Sequence, residues 1–158
     1  MNEGDIERLY RARAAHFVGL AQWLVGSRDI AEEVVHDVFV RLVAKSVSLR
    51  DESALEAYVR RAVVNRAKNQ HRRKAVEQKH APTENEVTID RYNADETVRN
   101  AVLALPLRQR QCVVLRFYDD LTLEQIGQTL GMRTGTVKSH LHRAMAALRP
   151  TLGEGASL

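Results

Sequence analysis

The sequence contains little of several residue types on which common protein functions depend. Its 158 residues include one cysteine, Cys112, so an internal disulfide is excluded and a cysteine-rich zinc site is implausible. We interpret Cys112 as a small apolar residue of a buried helix face. Aromatic residues make up 5 % of the chain, which leaves few rings for stacking on bases.

Features typical of membrane proteins and enzymes are also missing. No apolar run approaches the roughly 20 residues of a membrane span, and the acidic start "MNEGDIE" does not resemble a signal peptide. We expect a soluble, cytoplasmic protein without membrane insertion. There is no phosphate-binding glycine loop and no nucleophile elbow. The pair His140 and His142 lacks further ligands, so we predict no catalytic residue, no cofactor and no metal.

The positive charge is concentrated in two blocks. Seven Lys and Arg residues and no acid lie between Arg60 and Lys74, and four with no acid lie between Arg133 and Arg149. The formal net charge is only +4, so the total charge alone does not indicate a polyanionic partner. Its distribution favours two separate contacts with a polyanion.

Apolar residues follow helical spacing almost everywhere, and no alternating strand pattern appears. The sequence therefore predicts an all-α chain. The periodicity is lost between Ala75 and Asn93, where the sequence is polar and acidic and Pro82 forbids a continuous helix. We predict two small helical domains, residues 1–74 and 94–150, joined by a linker at 75–93 and followed by a tail at 151–158.

The stretch "LTLEQIGQTLGMRTGTVKSHLHRAM", residues 121–145, predicts a helix-turn-helix. Such a motif needs a small residue where the two helices cross and a glycine where the turn requires positive φ. Gly127 and Gly131 stand at those two places. The second helix has an apolar back, and its other side carries cationic and hydrogen-bonding residues suited to a major groove. That side presents Lys138, Ser139, His142 and Arg143.

A second cationic stripe is predicted on the helix that begins near Ser53. Its members recur at helical spacing without an acid among them, which favours a nucleic-acid contact over a solvated face. The stripe consists of Arg61, Asn65, Lys68 and Arg72. Tyr58 lies beside it, where its ring either stacks on an unpaired base or packs into the core.

These stretches together resemble the extracytoplasmic-function (ECF) group of bacterial sigma factors. The resemblance covers Leu9–Lys74 as sigma region 2 and Ala94–Arg149 as region 4. It rests on "AEEVVHDVFVRLVAK", "AYVRRAVVNRAKNQHRRK" and "LPLRQRQCVVLRFYDDLTLEQIGQTLGMRTGTVKSHLHRAMAALR". It implies an alternative sigma factor that directs core RNA polymerase to specific promoters and initiates transcription there.

The resemblance also implies the partners and the role of each surface. The helix Ile30–Lys45 would dock on the β′ clamp helices of polymerase through Glu33, Asp37 and Arg41, side chains that the fold does not obviously need. The loop Ser46–Ser53 and the helix of the second stripe would hold the melted −10 strand. The second helix of region 4 would read the −35 duplex through Arg133, Thr136, Lys138, Ser139, His142 and Arg143.

Further partners that the resemblance implies are the polymerase β flap and an anti-sigma factor, which commonly holds ECF members inactive. The chain departs from the group at Arg60 and Arg66, where aromatic or aliphatic residues are frequent, and at Tyr58, where Trp is frequent.

A two-domain helix-turn-helix regulator of the LuxR type is the competing interpretation. It would use the stretch 121–145 equally well and would bind duplex DNA without polymerase, usually as a dimer. It would leave the second cationic stripe and the helix containing "DVFVRL" without a role. The arrangement of both basic blocks therefore favours the sigma factor.

Overall fold

The computed structural model describes residues 3–45, 49–78 and 94–153, with only the backbone course given for 71–78 and 94–95. These residues contain seven α-helices and no strand, as the all-α prediction required. The helices are α1 (Glu3–Val25), α2 (Arg28–Lys45), α3 (Glu52–Gln78), α4 (Ala94–Leu103), α5 (Leu107–Phe117), α6 (Leu123–Leu130) and α7 (Thr134–Leu152).

The first half of the chain is a bundle of α1, α2 and α3, each packed against the other two. Apolar residues at three- and four-residue spacing give each helix one buried face. Gly26, with φ of 81°, ends α1 in a conformation that costs glycine little. The hydroxyl of Ser27 then accepts a hydrogen bond from the backbone N–H of Ile30 at 3.3 Å, which caps α2.

The second half is built around α5, whose residues 110–115 are all buried. The helix α7 packs against α4, α5 and α6. Cys112 is fully buried, and this burial raises the pKa of its thiol to about 11. The interpretation of Cys112 as a core residue is confirmed.

The two halves also pack on each other. The helix α1 contacts α4 and α5, and α3 contacts α6, so the buried apolar residues of both halves form one continuous core. The sequence predicted two helical units but no contact between them.

Two helices run past their predicted ends. The helix α3 continues to Gln78, four residues into the segment predicted as a linker, and α7 continues through Pro150 to Leu152. The remainder of the predicted linker, residues 79–93, and the tail residues 154–158 lie outside the described residues, as do residues 46–48 of the predicted −10 loop.

The crossing of α6 and α7 generates a prediction about stability. A Cβ at Gly127 would lie 2.5 Å from the backbone oxygen of Met132, so Gly127→Ala should lower the free energy of unfolding by about 1–3 kcal/mol. Gly135, in the first turn of α7, has nothing within 4 Å of the same position. Gly135→Ala should raise the free energy of unfolding by about 0.5–1 kcal/mol. Urea denaturation of both variants measures the two effects, and equal shifts would contradict this crossing.

Candidate nucleic-acid interface

The helices α6 and α7 form the predicted helix-turn-helix. Thr122 and Gln125 make a reciprocal capping box at the start of α6, which satisfies two backbone N–H groups that would otherwise lack partners. Gly131 ends α6 with φ of 69°, and Gly127 is buried where α7 crosses. Both glycine predictions are confirmed.

The helix α7 presents the predicted reading face to solvent. Val137, Ala144 and Leu148 are buried on its back. The six residues expected to read the −35 element are all exposed: Arg133, Thr136, Lys138, Ser139, His142 and Arg143. The helix contains no acid, and no ion pair within the described residues involves Lys138 or Arg143. An exposed cationic face of this kind is able to neutralise phosphates and to reach base edges.

The first turn of α7 lacks a side-chain cap. Arg133 occupies the N-cap position and its side chain makes no capping hydrogen bond. The hydroxyl of Ser139 donates to the carbonyl of Gly135 at 3.1 Å, so Ser139 lies over the same turn. The N-terminus of α7 therefore has free backbone N–H groups beside a cation, an arrangement that suits a phosphate.

Arg116 of α5 is a candidate that sequence reasoning missed. It lines a groove together with Lys138, His142 and Arg143, and its guanidinium donates to the carbonyl of Leu121 at 2.8 Å. This bond ties the end of α5 to the turn before α6. The approach of Arg116 to the reading face depends on the packing of α5 against α7, and no local pattern signals it.

The second cationic stripe lies on α3. Arg61 and Asn65 are exposed and Lys68 is half-buried, while the side chain of Arg72 lies outside the described residues. Two neighbouring cations are neutralised within the chain, because Arg60 pairs with Asp119 and Arg66 pairs with Asp37. The acid-free block is thus partly structural.

Tyr58 fits both interpretations that the sequence left open. It is half-buried against the core, and it also lines a cavity of about 200 Å³ between α2 and α3. Asn65 and Asn69 share this cavity with Arg41 and Lys45 of α2. Amide and cationic groups around one aromatic ring form a pocket suited to a base with its phosphate.

The expected polymerase contacts on α2 differ in their surroundings. Glu33 and Arg41 are exposed, but Asp37 accepts a hydrogen bond from the guanidinium of Arg66 at 2.8 Å. The expectation that the fold does not need Asp37 is wrong, because this ion pair joins α2 to α3.

Sequence reasoning also missed an apolar residue on the same surface. Val40 is 52 % exposed and, at about 100° per residue, points within about 20° of Glu33 around α2. Val43, three residues farther along α2, is 45 % exposed as well, and neighbouring exposed apolar side chains with a polar rim mark interaction sites. The signal was present in the sequence, since Val40 stands off the buried stripe of α2.

None of the described helices combines the length and the apolar character that crossing a membrane requires. The described residues contain no group of three or more histidine, cysteine, aspartate or glutamate side chains that could hold a metal ion.

Two family models match the chain. Sigma-70 region 2 matches residues 9–76 and Sigma-70 region 4 matches residues 101–150. The region 2 match covers α2 and α3, the helices for which a LuxR-type regulator has no role.

Solved structures share the fold. One, the sigma factor RpoE in complex with the anti-sigma factor NepR from Bartonella quintana, has a TM-score of 0.75 at 23 % identity over 95 % of this chain and 97 % of that one. Another, CnrH in complex with the cytosolic domain of CnrY, has a TM-score of 0.69 at 17 % identity, covering 96 % of this chain and 89 % of the other.

Curated relatives match along nearly the whole length. The RNA polymerase sigma-E factor of Streptomyces coelicolor is 32 % identical over 94 % of this chain and 86 % of its own. That of Streptomyces avermitilis is 31 % identical over 94 % and 85 %. The chain belongs to the ECF group of RNA polymerase sigma factors, the initiation subunits that direct core polymerase to promoters.

Proposed function

We propose that three surfaces divide promoter-specific initiation among them: α7 reads the −35 duplex, α3 holds the melted −10 strand, and α2 docks on the polymerase β′ clamp helices. The division assigns residues 1–74 to docking and −10 capture and residues 94–150 to −35 readout. Polymerase performs the chemistry, and this chain positions it without a catalytic residue of its own. Its place of action is then the cytoplasm.

The exposed, acid-free face of α7 is the observation that carries the proposal. Val137 and Leu148 are buried on the apolar side of α7. The rotation of the helix about its axis is therefore set, and the cationic side chains on the other side point into solvent. A rigid helix with side chains aimed outward is able to distinguish base pairs in a major groove. A flexible cationic segment would bind phosphates without this discrimination.

Two additional partners belong to the proposal. Region 4 would contact the polymerase β flap, which places −35 readout on the enzyme. An anti-sigma factor would regulate the chain; the support is that the sigma factor RpoE, which shares the fold, was solved in complex with the anti-sigma factor NepR.

The reading face is tested by Lys138→Ala and Arg143→Ala in the holoenzyme. A side chain that contacts a phosphate should lower affinity on all promoters and reduce the salt slope by about 1. One that contacts a base edge should cost about 1–3 kcal/mol at a single −35 position. Arg149→Ala, at the far end of the same helix, is the matched control. Normal binding and transcription by both test variants would show that the face is misplaced.

The −10 surface is tested by Asn65→Ala and Arg61→Glu. Both residues are exposed on α3, so the variants should fold, bind polymerase and fail to hold the opened strand, because Asn65→Ala removes a hydrogen bond to a base edge and Arg61→Glu removes neutralisation of the backbone. Permanganate footprinting across the −10 element measures strand opening. Arg11→Glu, on the exposed surface of α1, controls for the change of charge. Unchanged opening in both variants would remove α3 from this role.

The polymerase surface is tested by Glu33→Lys and Val40→Ser. Both side chains are exposed, so stability should change by about 0.5 kcal/mol or less. Loss of a desolvated ion pair by Glu33→Lys should weaken binding to core polymerase by about 2–5 kcal/mol.

Glu32→Lys is the matched control for that surface, since Glu32 points about 100° away from Glu33 around α2. Asp37→Lys should lower stability as well as binding, because Arg66 loses its partner. Binding assays with purified core polymerase and thermal unfolding separate the two effects. Wild-type affinity in Glu33→Lys and Val40→Ser together would exclude this face of α2.

A further inference from the structure

One carboxylate joins the two halves of the chain. Asp119 follows α5 in the turn before α6, and its side chain is 1 % exposed. One of its oxygens lies 2.6 Å from Nε2 of His16 on α1, and the other accepts from Nε of Arg60 on α3 at 2.5 Å. A carboxylate of the second half is therefore held by two side chains of the first.

The residues around Asp119 reinforce this contact. The hydroxyl of Tyr118 donates to the carbonyl of His16 at 2.8 Å, and its ring stacks on the imidazole of His16 with centroids 4.9 Å apart. A Cβ at Gly19 would lie 2.0 Å from the Tyr118 hydroxyl oxygen, so only glycine admits this ring at its present position. Arg110 of α5 donates a hydrogen bond to the carbonyl of Leu24, which lies farther along α1, at 3.0 Å.

A buried ion pair of this kind acts as an all-or-none contact. Separating the halves a little would leave Asp119 or Arg60 without a partner in a place from which water is excluded, which is costly. Separating them fully returns both groups to water. The geometry thus favours two states, one closed and one open, over a continuous range.

The closed state is too small for the proposed task. A compact unit of the size that the structure describes, residues 3–45, 49–78 and 94–153, has a radius of gyration of about 14 Å and is about 35 Å across. The −10 and −35 elements lie about 25 base pairs apart, or about 85 Å along B-form DNA. With α1 and α3 packed on α5 and α6, the two DNA surfaces are unable to reach both elements at once.

We propose that Asp119 is the centre of an interdomain latch, with His16 and Arg60 as its partners, that holds the polymerase-free chain closed and sets the fraction competent to bind polymerase and promoter. The latch rests on the proposed function, because closure matters only if the halves contact separate promoter elements. Polymerase binding must break the Asp119 contacts, and the cost of breaking them reduces the apparent affinity of the chain for polymerase.

The test compares Asp119→Asn with Asp120→Asn. The two variants remove the same charge from adjacent residues, but Asp120 is exposed, and no hydrogen bond or ion pair joins it to the described residues of the first half. Asp120 has φ of 56°, a value that asparagine accepts. Arg60→Gln removes the guanidinium that pairs with Asp119 and leaves the contact between Asp119 and His16 in place. Circular dichroism establishes that each variant keeps its helix content.

The first measurement is small-angle X-ray scattering of the full chain without polymerase. Asp119→Asn and Arg60→Gln should increase the radius of gyration and the maximum dimension, while Asp120→Asn matches the wild type. Unchanged dimensions in the folded latch variants would overturn the latch. This result is independent of any DNA or polymerase activity.

The second measurement is affinity for core polymerase. If less than a third of the wild type is open, releasing the latch should tighten apparent binding by about threefold or more, and Asp120→Asn should have no effect. Latch variants that open but bind with wild-type affinity would overturn the latch as a control of activity. A wild type and variants that all fail to bind polymerase would instead reject the proposed function and leave the scattering result standing.

Discussion

The packing of both halves of the chain on α1 is the constraint on which the rest of the structure depends. This helix contacts α2 and α3 of the first half and α4 and α5 of the second. Phe17, Leu20 and Ala21 are fully buried, and the small residue Gly19 lets the ring of Tyr118 approach α1 closely. Burying a large apolar side chain contributes about 1.5–3 kcal/mol, so the burial of this shared helix stabilises the common core of both halves.

The same packing separates two kinds of cation that look alike in sequence. Arg60 and Arg66 are partly buried and bonded to Asp119 and Asp37. The acid that pairs with Arg60 comes from the turn after α5, and the acid that pairs with Arg66 comes from α2. Arg61, between them in the sequence, faces solvent. Adjacent residues of one basic block therefore differ in their surroundings, and the exposed members are the ones accessible to a nucleic acid.

Local structure was predictable to the extent that its causes are local. The bounds of α6 follow from the cap at Thr122 and the positive φ at Gly131, both of which act within one helical turn. The solvent face of α7 follows from helical periodicity alone.

The contacts between distant elements were not predictable in this way. Asp119 looks like an ordinary turn residue, and its partners His16 and Arg60 lie 103 and 59 residues away. The ion pair of Asp37 is hidden for the same reason, since its register depends on how α2 lies against α3. Exposed Val40 is the opposite case. Helical spacing alone places it outside the buried stripe of α2, but only the structure shows that no other helix in the described part of the chain covers it.

The two helices of the helix-turn-helix differ in how their first turns are satisfied, and this difference has a functional sense. The helix α6 has a complete capping box, as suits an element whose task is to hold its neighbour in place. The helix α7 begins with Arg133, which satisfies no backbone donor, although a capping side chain contributes about 0.5–2 kcal/mol. A serine cap there would occupy the N–H groups that a phosphate is able to accept from. The missing cap leaves α7 less stable alone and leaves its first backbone N–H groups free for an anionic ligand, as the proposed readout of promoter DNA by this helix requires.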